Sequence, residues 1–388
     1  MSIRNSIVYV SFACWFFAAA AQAQLGQRTD PASVIRWNLG GAPVSIVSAD
    51  LGDSRVQPRG GAMILDLHAT LTLQNNSSQN IRGITLAVLA QEMTPGGKGS
   101  VAVPSLNVPP GASFPVRINL RLLRPLPAPA GPLVEVSLDG LLFADFSFFG
   151  PNRLESRRTM TVWEMEARRD REHLKTVLEK QGPAALQREM LASLSRQAAR
   201  PHLDVQVERA SGSRAISAAV SALTGRNLNF AFLRIPDSPL DLLSGAAQVN
   251  GAEAASLRVE VANRSNRDVR YFEVGWIVKD AAGEQFLAGS LPSSPAGLDL
   301  RPGGSAVALQ DRAYRFSRGP ESLPAIIGLT GFVSQVEFSD GAIWIPSRKA
   351  LTEQSLLGVI PVSAEEQRLS QLYRTKGLQA LVEELRKF

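Results

Sequence analysis

The sequence carries one pattern twice, and this repeat limits the possible folds more than any other feature. Each copy runs from alternating apolar and polar residues, through an Asn-x-Ser turn and a Pro-Gly turn, to a charged helical segment. The matching segments are 71–88 with 259–276 at a separation of 188 positions, 106–113 with 298–305 at 192, and 174–189 with 369–384 at 195. Because order, turns and trailing helix recur together, the sequence predicts two copies of one structural unit.

Apolar residues occupy every second position in segments 63–73, 114–122 and 257–261. This alternation places one set of side chains on one face of a β-strand, and half-buried strands of this kind are typical of antiparallel sheets. Turn-forming residues separate the strands at short intervals, which favours a sandwich. We therefore predict a mainly β fold with two antiparallel immunoglobulin-like or fibronectin-like β-sandwich domains, each followed by an α-helical segment. This architecture carries no function with it.

One strand does not fit the repeat. The segment Ala306-Val307-Ala308-Leu309 has its larger apolar residues out of phase with the counterpart strand in the first copy. We expect a β-bulge or a misalignment at this place.

Two capping boxes predict where the trailing helices begin. Thr161 and Ser363 are each followed three residues later by glutamate, so that hydroxyl and carboxylate can satisfy free amides of a first helical turn. Each helix has a narrow apolar stripe, formed by Leu174, Val177 and Leu178 in the first and by Leu369, Leu372 and Tyr373 in the second. Each stripe either packs on its own sandwich or binds a partner or the other domain.

Length and composition allow two packed domains. The predicted organisation is a signal peptide at 1–23, a first sandwich at 24–160, a charged helical linker at 161–200, a second sandwich at 201–360 with an inserted helix near 211–225, and a C-terminal helix at 361–388.

The N-terminus has the three parts of an export signal. Arg4 precedes an apolar run over 7–20, and Ala21-Gln22-Ala23 forms a small-residue cleavage box. We expect cleavage after Ala23 and a periplasmic or secreted protein. Lipid anchoring at Cys14 is the alternative. Cys14 is the only cysteine, so the mature chain has no thiol for a disulfide or a metal.

The charge balance argues against a nucleic-acid partner. The chain has 41 Lys and Arg against 35 Asp and Glu. The densest basic residues, at 157–158, 168–169 and 171, alternate with acidic ones, which is typical of a solvated helix face.

No motif commits the chain to a chemistry. Gly52-Asp53-Ser54 resembles the Gly-Asp-Ser block of one esterase family, but Arg55 follows where that family usually has leucine. A serine hydrolase would need His68 or His202 within hydrogen-bond reach of the Ser54 hydroxyl. No pattern predicts a cofactor or metal site, and a calcium site at Asp50 with Asp53, or at Asp237 with Asp241, would lack a dense oxygen-ligand loop. We therefore expect a protein that is not an enzyme.

Because the sequence shows no catalytic, cofactor or metal motif, we predict an interaction or scaffold protein. It would bind other envelope or secreted proteins through its sandwiches and helices. A glycan-binding module is the alternative, because sugar rings stack on exposed tryptophans and Trp37, Trp163 and Trp344 are candidates. Trp276 shares its strand face with Phe272 and Val274 and is predicted to lie in the core. The predicted contact residues are Trp37, Trp163, Trp344, Leu369, Leu372 and Tyr373.

Overall fold

The structure is a computed structural model that describes residues 35–59, 62–90, 98–125, 134–200, 204–208, 225–293, 298–310, 312–317 and 325–388. It is mainly β, with several sheets. The chain divides into two compact units between Met160 and Thr161. The predicted signal peptide, Cys14, His202 and residues 211–224 of the predicted inserted helix lie outside the described residues.

Unit 1 contains two sheets. In one, β2 and β3 lie end to end along one side of β4, and β7 pairs with the other side. In the other, the strand order is β1-β8-β5-β6, and the short β9 pairs with β8. The strands are β1 (Ile35–Asn38), β2 (Val44–Asp50), β3 (Arg55–Arg59), β4 (Ala62–Asn75), β5 (Ile81–Ala90), β6 (Lys98–Val103), β7 (Ser113–Pro125), β8 (Val134–Phe143) and β9 (Phe148–Phe149).

Both sheets of unit 1 contribute to one hydrophobic core. Leu67 and Leu71 of β4 belong to the same buried cluster as Ile84 of β5 and Val136 of β8. The alternating segments 63–73 and 114–122 are strands as predicted, because removing one face of each strand from water is the main gain on folding.

Unit 2 has one continuous ten-stranded sheet, which is nearly closed and barrel-like. The closure depends on β11, whose first residues pair antiparallel with β12 and whose last residues pair parallel with β18. The strands are β10 (Asp204–Glu208), β11 (Arg226–Phe232), β12 (Leu240–Asn250), β13 (Glu253–Asn263), β14 (Val269–Asp280), β15 (Gln285–Pro292), β16 (Ser305–Gln310), β17 (Ala313–Ser317), β18 (Ile326–Phe338) and β19 (Ile343–Trp344).

Trp276 lies at the centre of the unit 2 core. It is fully buried, and the rings of Tyr314 and Phe316 meet it edge-on at centroid distances of 5.3 and 5.7 Å. The predicted core position of Trp276 is therefore confirmed. Such aromatic pairs add to the burial of the large apolar surface.

The prediction of purely antiparallel sheets was wrong at two pairings. β1 pairs parallel with β8, and β11 pairs parallel with β18. The first strand of unit 1 and the second strand of unit 2 thus each lie parallel beside the last long strand of their unit. The alternation of side chains predicts a strand but not whether neighbouring strands run parallel or antiparallel, because strand direction is set by the path of the chain.

Four helices are present in the described residues: α1 (Ser156–Gln181), α2 (Pro183–Ala199), α3 (Arg348–Glu353) and α4 (Ala364–Leu385). A 3-10 turn at Leu356–Gly358 follows α3. Ser363 caps α4 as predicted, because its side chain accepts a hydrogen bond of 3.0 Å from the Glu366 amide. No helix in this part of the chain is long and apolar enough to cross a membrane.

The predicted start of α1 at Thr161 was wrong. The helix begins five residues earlier, at Ser156, whose hydroxyl donates to Asp139 at 2.6 Å. The same buried carboxylate accepts the backbone amide of Arg153 at 2.8 Å. A side chain distant in sequence therefore anchors the start of the helix, and no local motif could reveal it.

Candidate functional site

The two units make the same hydrogen bonds at matched turns. Asn75 in unit 1 and Asn263 in unit 2 are both buried. Each side-chain amide donates to two backbone carbonyls, and each side-chain carbonyl accepts from the amide and hydroxyl of the serine two residues later. The partners are Gln79, Val108 and Ser77 in unit 1, at 2.6 to 2.9 Å, and Arg267, Leu300 and Ser265 in unit 2, at 2.7 to 3.0 Å. Matched positions can therefore be compared directly.

The comparison places β16 of unit 2 opposite the first half of β7 of unit 1. β16 pairs with β13 in the same register in which β7 pairs with β4. Val307 corresponds to Pro115, and Leu309 corresponds to Arg117. The register is unbroken over Ser305–Gln310, so the expected bulge or misalignment was wrong.

The larger apolar side chains of β16 face outward. Ala306 and Ala308 point toward the core, whereas Val307 is 39% exposed and Leu309 is 55% exposed. Leu243, at a bulge in β12, is 52% exposed on the same sheet. We call Leu243, Val307 and Leu309 the apolar patch. It is the candidate functional site, because solvated sheet faces normally carry polar residues.

Charged residues of both signs lie between the members of the apolar patch. Arg258 pairs across the strand with Leu309, and Glu260 pairs with Val307. The carboxylate of Glu260 accepts the hydroxyl of Ser244 at 3.0 Å. The patch is therefore a set of aliphatic side chains on a locally neutral surface.

The corresponding face of unit 1 is polar. Pro115 and Arg117 are exposed at the positions of Val307 and Leu309, and Asn119 follows them. Only the residue at the matched bulge, Val47, is apolar there as well. The two units therefore share a backbone arrangement but differ in the chemistry of this face.

Pro115 also fixes the direction of the backbone groups in these strands. A proline has no N–H, so within a paired strand its nitrogen faces away from the neighbouring strand. Because β16 has the register of β7, the N–H of Val307 likewise points away from β13. Among the described residues no strand pairs with β16 on that side. Within the described part of the chain, β16 therefore hydrogen-bonds to a neighbouring strand on one side only.

The apolar helical stripes pack against one another. Leu174 of α1, Leu186 of α2, and Leu369 and Leu381 of α4 belong to one buried cluster. The expectation that each stripe packs on its own sandwich was therefore wrong. Leu369 is fully buried, Tyr373 packs half-buried on this cluster, and Leu372 is half-buried. The helical residues predicted to contact a partner are largely used inside unit 2.

A buried ion-pair network accompanies this cluster. The guanidinium of Arg348, at the start of α3, lies 3.3 Å from Asp170 of α1 and 2.6 Å from Glu366 of α4. Arg171 of α1 in turn contacts Glu164 at 2.8 Å and Glu365 at 3.2 Å. Arg348 also lies 3.4 Å from Glu189, so each arginine holds carboxylates that would otherwise repel one another. Such a network fixes how helices pack, because removing one partner leaves a buried charge uncompensated.

The pKa values of the network follow from these contacts. The hydrogen bond with His173 is the largest effect on Glu189, and Arg196 adds to it, so the pKa of Glu189 falls to about 2 although burial opposes the change. Burial alone would raise the pKa of Glu366, but Arg348, Ser193 and Arg196 together outweigh burial and the pKa is lowered. These carboxylates are therefore ionised at neutral pH and act as ion-pair partners.

Glu166 is an exception near the network. Burial raises its pKa to about 6, and the nearby Asp170 also favours the protonated form, while Arg169 acts in the opposite direction. Its ionised form is thus unfavourable in the folded chain.

The three candidate tryptophans are half-buried. Trp37 packs against the core of unit 1, and Trp344 packs against two apolar clusters of unit 2. Trp163 lies on α1. The pair of exposed rings on one face that glycan binding would favour is not formed by these side chains.

The Ser54 hydroxyl is part of a turn. It donates to the carbonyl of Leu51 at 2.5 Å and accepts the backbone amide of His68 at 2.8 Å. The His68 ring instead lies 3.2 Å from the side-chain oxygen of Asn119. Ser54 and His68 are therefore in contact through the backbone, and the imidazole is not placed to take the serine proton.

One candidate calcium ligand of each predicted pair has a partner within the protein. Asp50 accepts the Gly52 amide at 2.9 Å, and Asp241 pairs with Arg264 at 2.8 Å. Within the described ranges, no group of three or more His, Cys, Asp or Glu side chains is arranged to hold a metal ion.

No protein-family model and no curated protein matches the chain. Among solved structures, the chain aligns with a β-glucosidase from Kluyveromyces marxianus at 10% identity and a TM-score of 0.16, over 71% of this chain and 45% of the glucosidase. It therefore spans less than half the length of that enzyme. A structure described as pT26-6p aligns at 9% identity and a TM-score of 0.14, over 96% of this chain and 76% of the other. An allantoicase aligns at 9% identity and a TM-score of 0.07, over 75% and 84%. Likenesses this low identify neither a shared fold nor a shared activity.

Proposed function

We propose that the protein is an exported, non-enzymatic interaction or scaffold protein that binds other envelope or secreted proteins. Its place of action would be the periplasm or the exterior of the cell, as the signal-like N-terminus suggests. The apolar patch of unit 2 is the observation that carries the proposal.

The chemistry of the patch favours a protein partner. Valine and leucine side chains offer no hydrogen bonds for sugar hydroxyls and no flat ring for stacking, but they suit the apolar centre of a protein interface. Their exposure is unfavourable in water, and adjacent exposed apolar residues mark interaction sites more often than isolated ones do. Unit 1 has Pro115 and Arg117 at the matched positions, so the apolar side chains at these positions are a feature of unit 2 that the shared backbone does not require.

In this proposal the two units form the scaffold that presents the apolar patch. As part of the proposal we regard both units as immunoglobulin-like sandwiches that arose by internal duplication, and the matched Asn75 and Asn263 turns support the duplication. The helices of the ion-pair network would then form a packed connection within unit 2, leaving sheet faces and strand edges for partners.

A crosslinking pull-down from the protein's own envelope fraction tests the proposal. The variant Leu309→Arg copies the residue of unit 1 into the patch, and Val47→Asp alters a matched exposed residue of unit 1 as control. We expect the unaltered chain and the control to capture a protein that Leu309→Arg fails to capture. Equal capture by all three would contradict the role of the patch. Retention on envelope polysaccharide with no protein partner would instead favour the tryptophan-based glycan alternative.

A further inference from the structure

We propose that the helices of unit 2 contain a proton-dependent latch, formed by His173 of α1 and Glu189 of α2. α1 and α2 form the first helical hairpin, and the two halves of α4 form the second. At the matched positions the second hairpin has a permanent ion pair between Arg368 and Glu384. Protonation of His173 would give the first hairpin an ion pair of the same kind. The latch acts on the packing of the helices and does not depend on the apolar patch or its partner.

The two hairpins are built in the same way. α1 and α2 meet at Gly182, and α4 has a kink at Gly377 with nearly the same φ and ψ. The two glycines are 195 positions apart, which is the separation already found for the helical segments of the repeat. Buried leucines of one cluster follow the same separation, Leu174 with Leu369 and Leu186 with Leu381. Matched positions of the two hairpins can therefore be compared directly.

A basic and an acidic side chain meet at the same place in each hairpin. Nη1 of Arg368 lies 2.5 Å from a carboxylate oxygen of Glu384, and Nε2 of His173 lies 3.5 Å from one of Glu189. The members of each pair are 16 residues apart, which is about 24 Å along one straight helix, so they meet only because the chain folds back at the glycine. The two hairpins thus share the carboxylate and differ in the cation.

The two basic side chains respond differently to pH. A guanidinium stays charged throughout the physiological range, whereas the charge of a histidine ordinarily changes between about pH 5 and 8. Glu189 is ionised over this whole range, because the hydrogen bond with His173 and the charge of Arg196 hold its pKa at about 2 against the effect of burial. The proton on His173 therefore decides whether the first hairpin has an ion pair at this place.

Charged side chains of all four helices form a network around the latch. Its members besides the pair itself are Arg169 and Asp170 of α1, Arg196 of α2, Arg348 of α3 and Glu366 of α4. Arg196 and Arg348 lie 3.3 and 3.4 Å from the same oxygen of Glu189 that His173 approaches. Glu189 therefore keeps cationic partners when His173 is neutral. Loss of the proton weakens the hairpin without leaving a buried charge unpaired, which a reversible latch requires.

The latch should hold at low pH and weaken as pH rises. An imidazolium attracts the carboxylate of Glu189 and a neutral ring does not, so proton binding and closure of the hairpin favour each other. The contribution is complete below the range in which histidine titrates and is lost as pH rises through it. Both side chains are half-buried and arginines share Glu189, so we expect a change of about three- to fivefold in the opening equilibrium of α2. Opening would uncover Leu186 and Met190, which the helical cluster buries.

Hydrogen exchange of the α2 backbone in the purified exported protein tests the latch. Protection factors, which are corrected for the pH dependence of intrinsic exchange, report the local opening equilibrium. All chains carry Glu166→Gln, because that carboxylate has a pKa of about 6 and would add its own pH dependence. Between about pH 5.5 and pH 8 we expect the protection of α2 to fall about three- to fivefold when His173 is present.

Three variants assign this pH dependence to His173. His173→Arg copies the second hairpin and should protect α2 equally at both pH values. His173→Gln carries no charge and should give the lower protection at both. His68→Gln alters an exposed histidine of unit 1 and is the control, so it should keep the full pH dependence. Equal protection of α2 at the two pH values with His173 present would overturn the proposal, as would an undiminished pH dependence in His173→Arg or His173→Gln.

Discussion

Asn263 makes in unit 2 the four side-chain hydrogen bonds that Asn75 makes in unit 1. Each asparagine lies in the turn between two long strands and also ties this turn to a third segment of the chain, at Val108 or Leu300. The turn is thus a fixed corner on which the register of several strands depends. The equivalence of β7 and β16 is inferred from these matched corners. The significance of the apolar patch depends on that equivalence.

Replacing either asparagine should destabilise its own unit. Asn75→Ala or Asn263→Ala removes four side-chain hydrogen bonds made by a buried asparagine, at an expected cost of about 2 to 3 kcal/mol. Urea unfolding monitored separately for the two units would measure the loss. The neighbouring exposed residues provide controls, since Asn76→Ala and Asn266→Ala should change stability by less than about 0.5 kcal/mol. Equal effects of the buried and exposed substitutions would show that these corners are unimportant.

Gly182 and Gly377 should tolerate alanine poorly. Both have a φ near +80° and an extended ψ, at 82° and 177° in the first and 81° and −177° in the second. This region is open almost only to glycine, and an alanine there should cost about 1 to 3 kcal/mol. A Cβ would meet no atom within 4 Å at either position, so the cost is one of backbone conformation alone. Gly358→Ala, also free of contacts, is the control and should leave the thermal midpoint nearly unchanged.

Arg348 should be essential to the packing of the helices. Arg348→Met would leave Asp170, Glu189 and Glu366 without their shared cation, and we expect a loss of about 3 to 5 kcal/mol. Lys349→Met changes the adjacent exposed cation, whose weak pair with Glu353 should contribute little. Denaturant unfolding would compare the two variants. A double variant with Glu366→Gln should lose less than the sum of the single effects, because the residues interact directly.

Glu166 should make stability fall as pH rises. Its folded pKa of about 6 exceeds the ordinary value of 4.5, so between these values the folded chain binds the proton more tightly than the unfolded chain. Stability is lost through this window as the carboxyl ionises, and above about pH 6 the full penalty of about 2 kcal/mol applies. Glu166→Gln should therefore stabilise the protein by up to about 2 kcal/mol near pH 8 and have little effect near pH 4.

Urea unfolding at both pH values would measure the effect of Glu166→Gln. The exposed Glu172 on the same helix supplies the control, because Glu172→Gln should alter stability little at either pH. A Glu166→Gln effect that is equal at the two pH values would mean that ionisation of this carboxyl is not its cause.

The sequence predicted the strands and the repeated corners because their signals are local. Alternation at 63–73 fixes a buried face, and the Asn-x-Ser turns recur with their spacing. The parallel entry of β11 and the anchoring of α1 by Asp139 depend on residues far apart in the chain, and periodicity contains no information on them. The misfit at Val307 and Leu309 was visible in the sequence. Its interpretation as a bulge was wrong because it assumed that large apolar residues of a strand face the core, a rule that fails most often at functional sites.

A photo-activated crosslinker placed at position 309, in cells that export the protein, tests the central claim most directly. The matched control carries the same crosslinker at position 117 of unit 1, which has the same register and an exposed side chain. The proposed function predicts covalent adducts with a protein at position 309, either a partner or a second copy, and none at position 117. Absence of adducts at position 309, or the same adducts at both positions, would contradict the proposal that the apolar patch is a protein-binding surface.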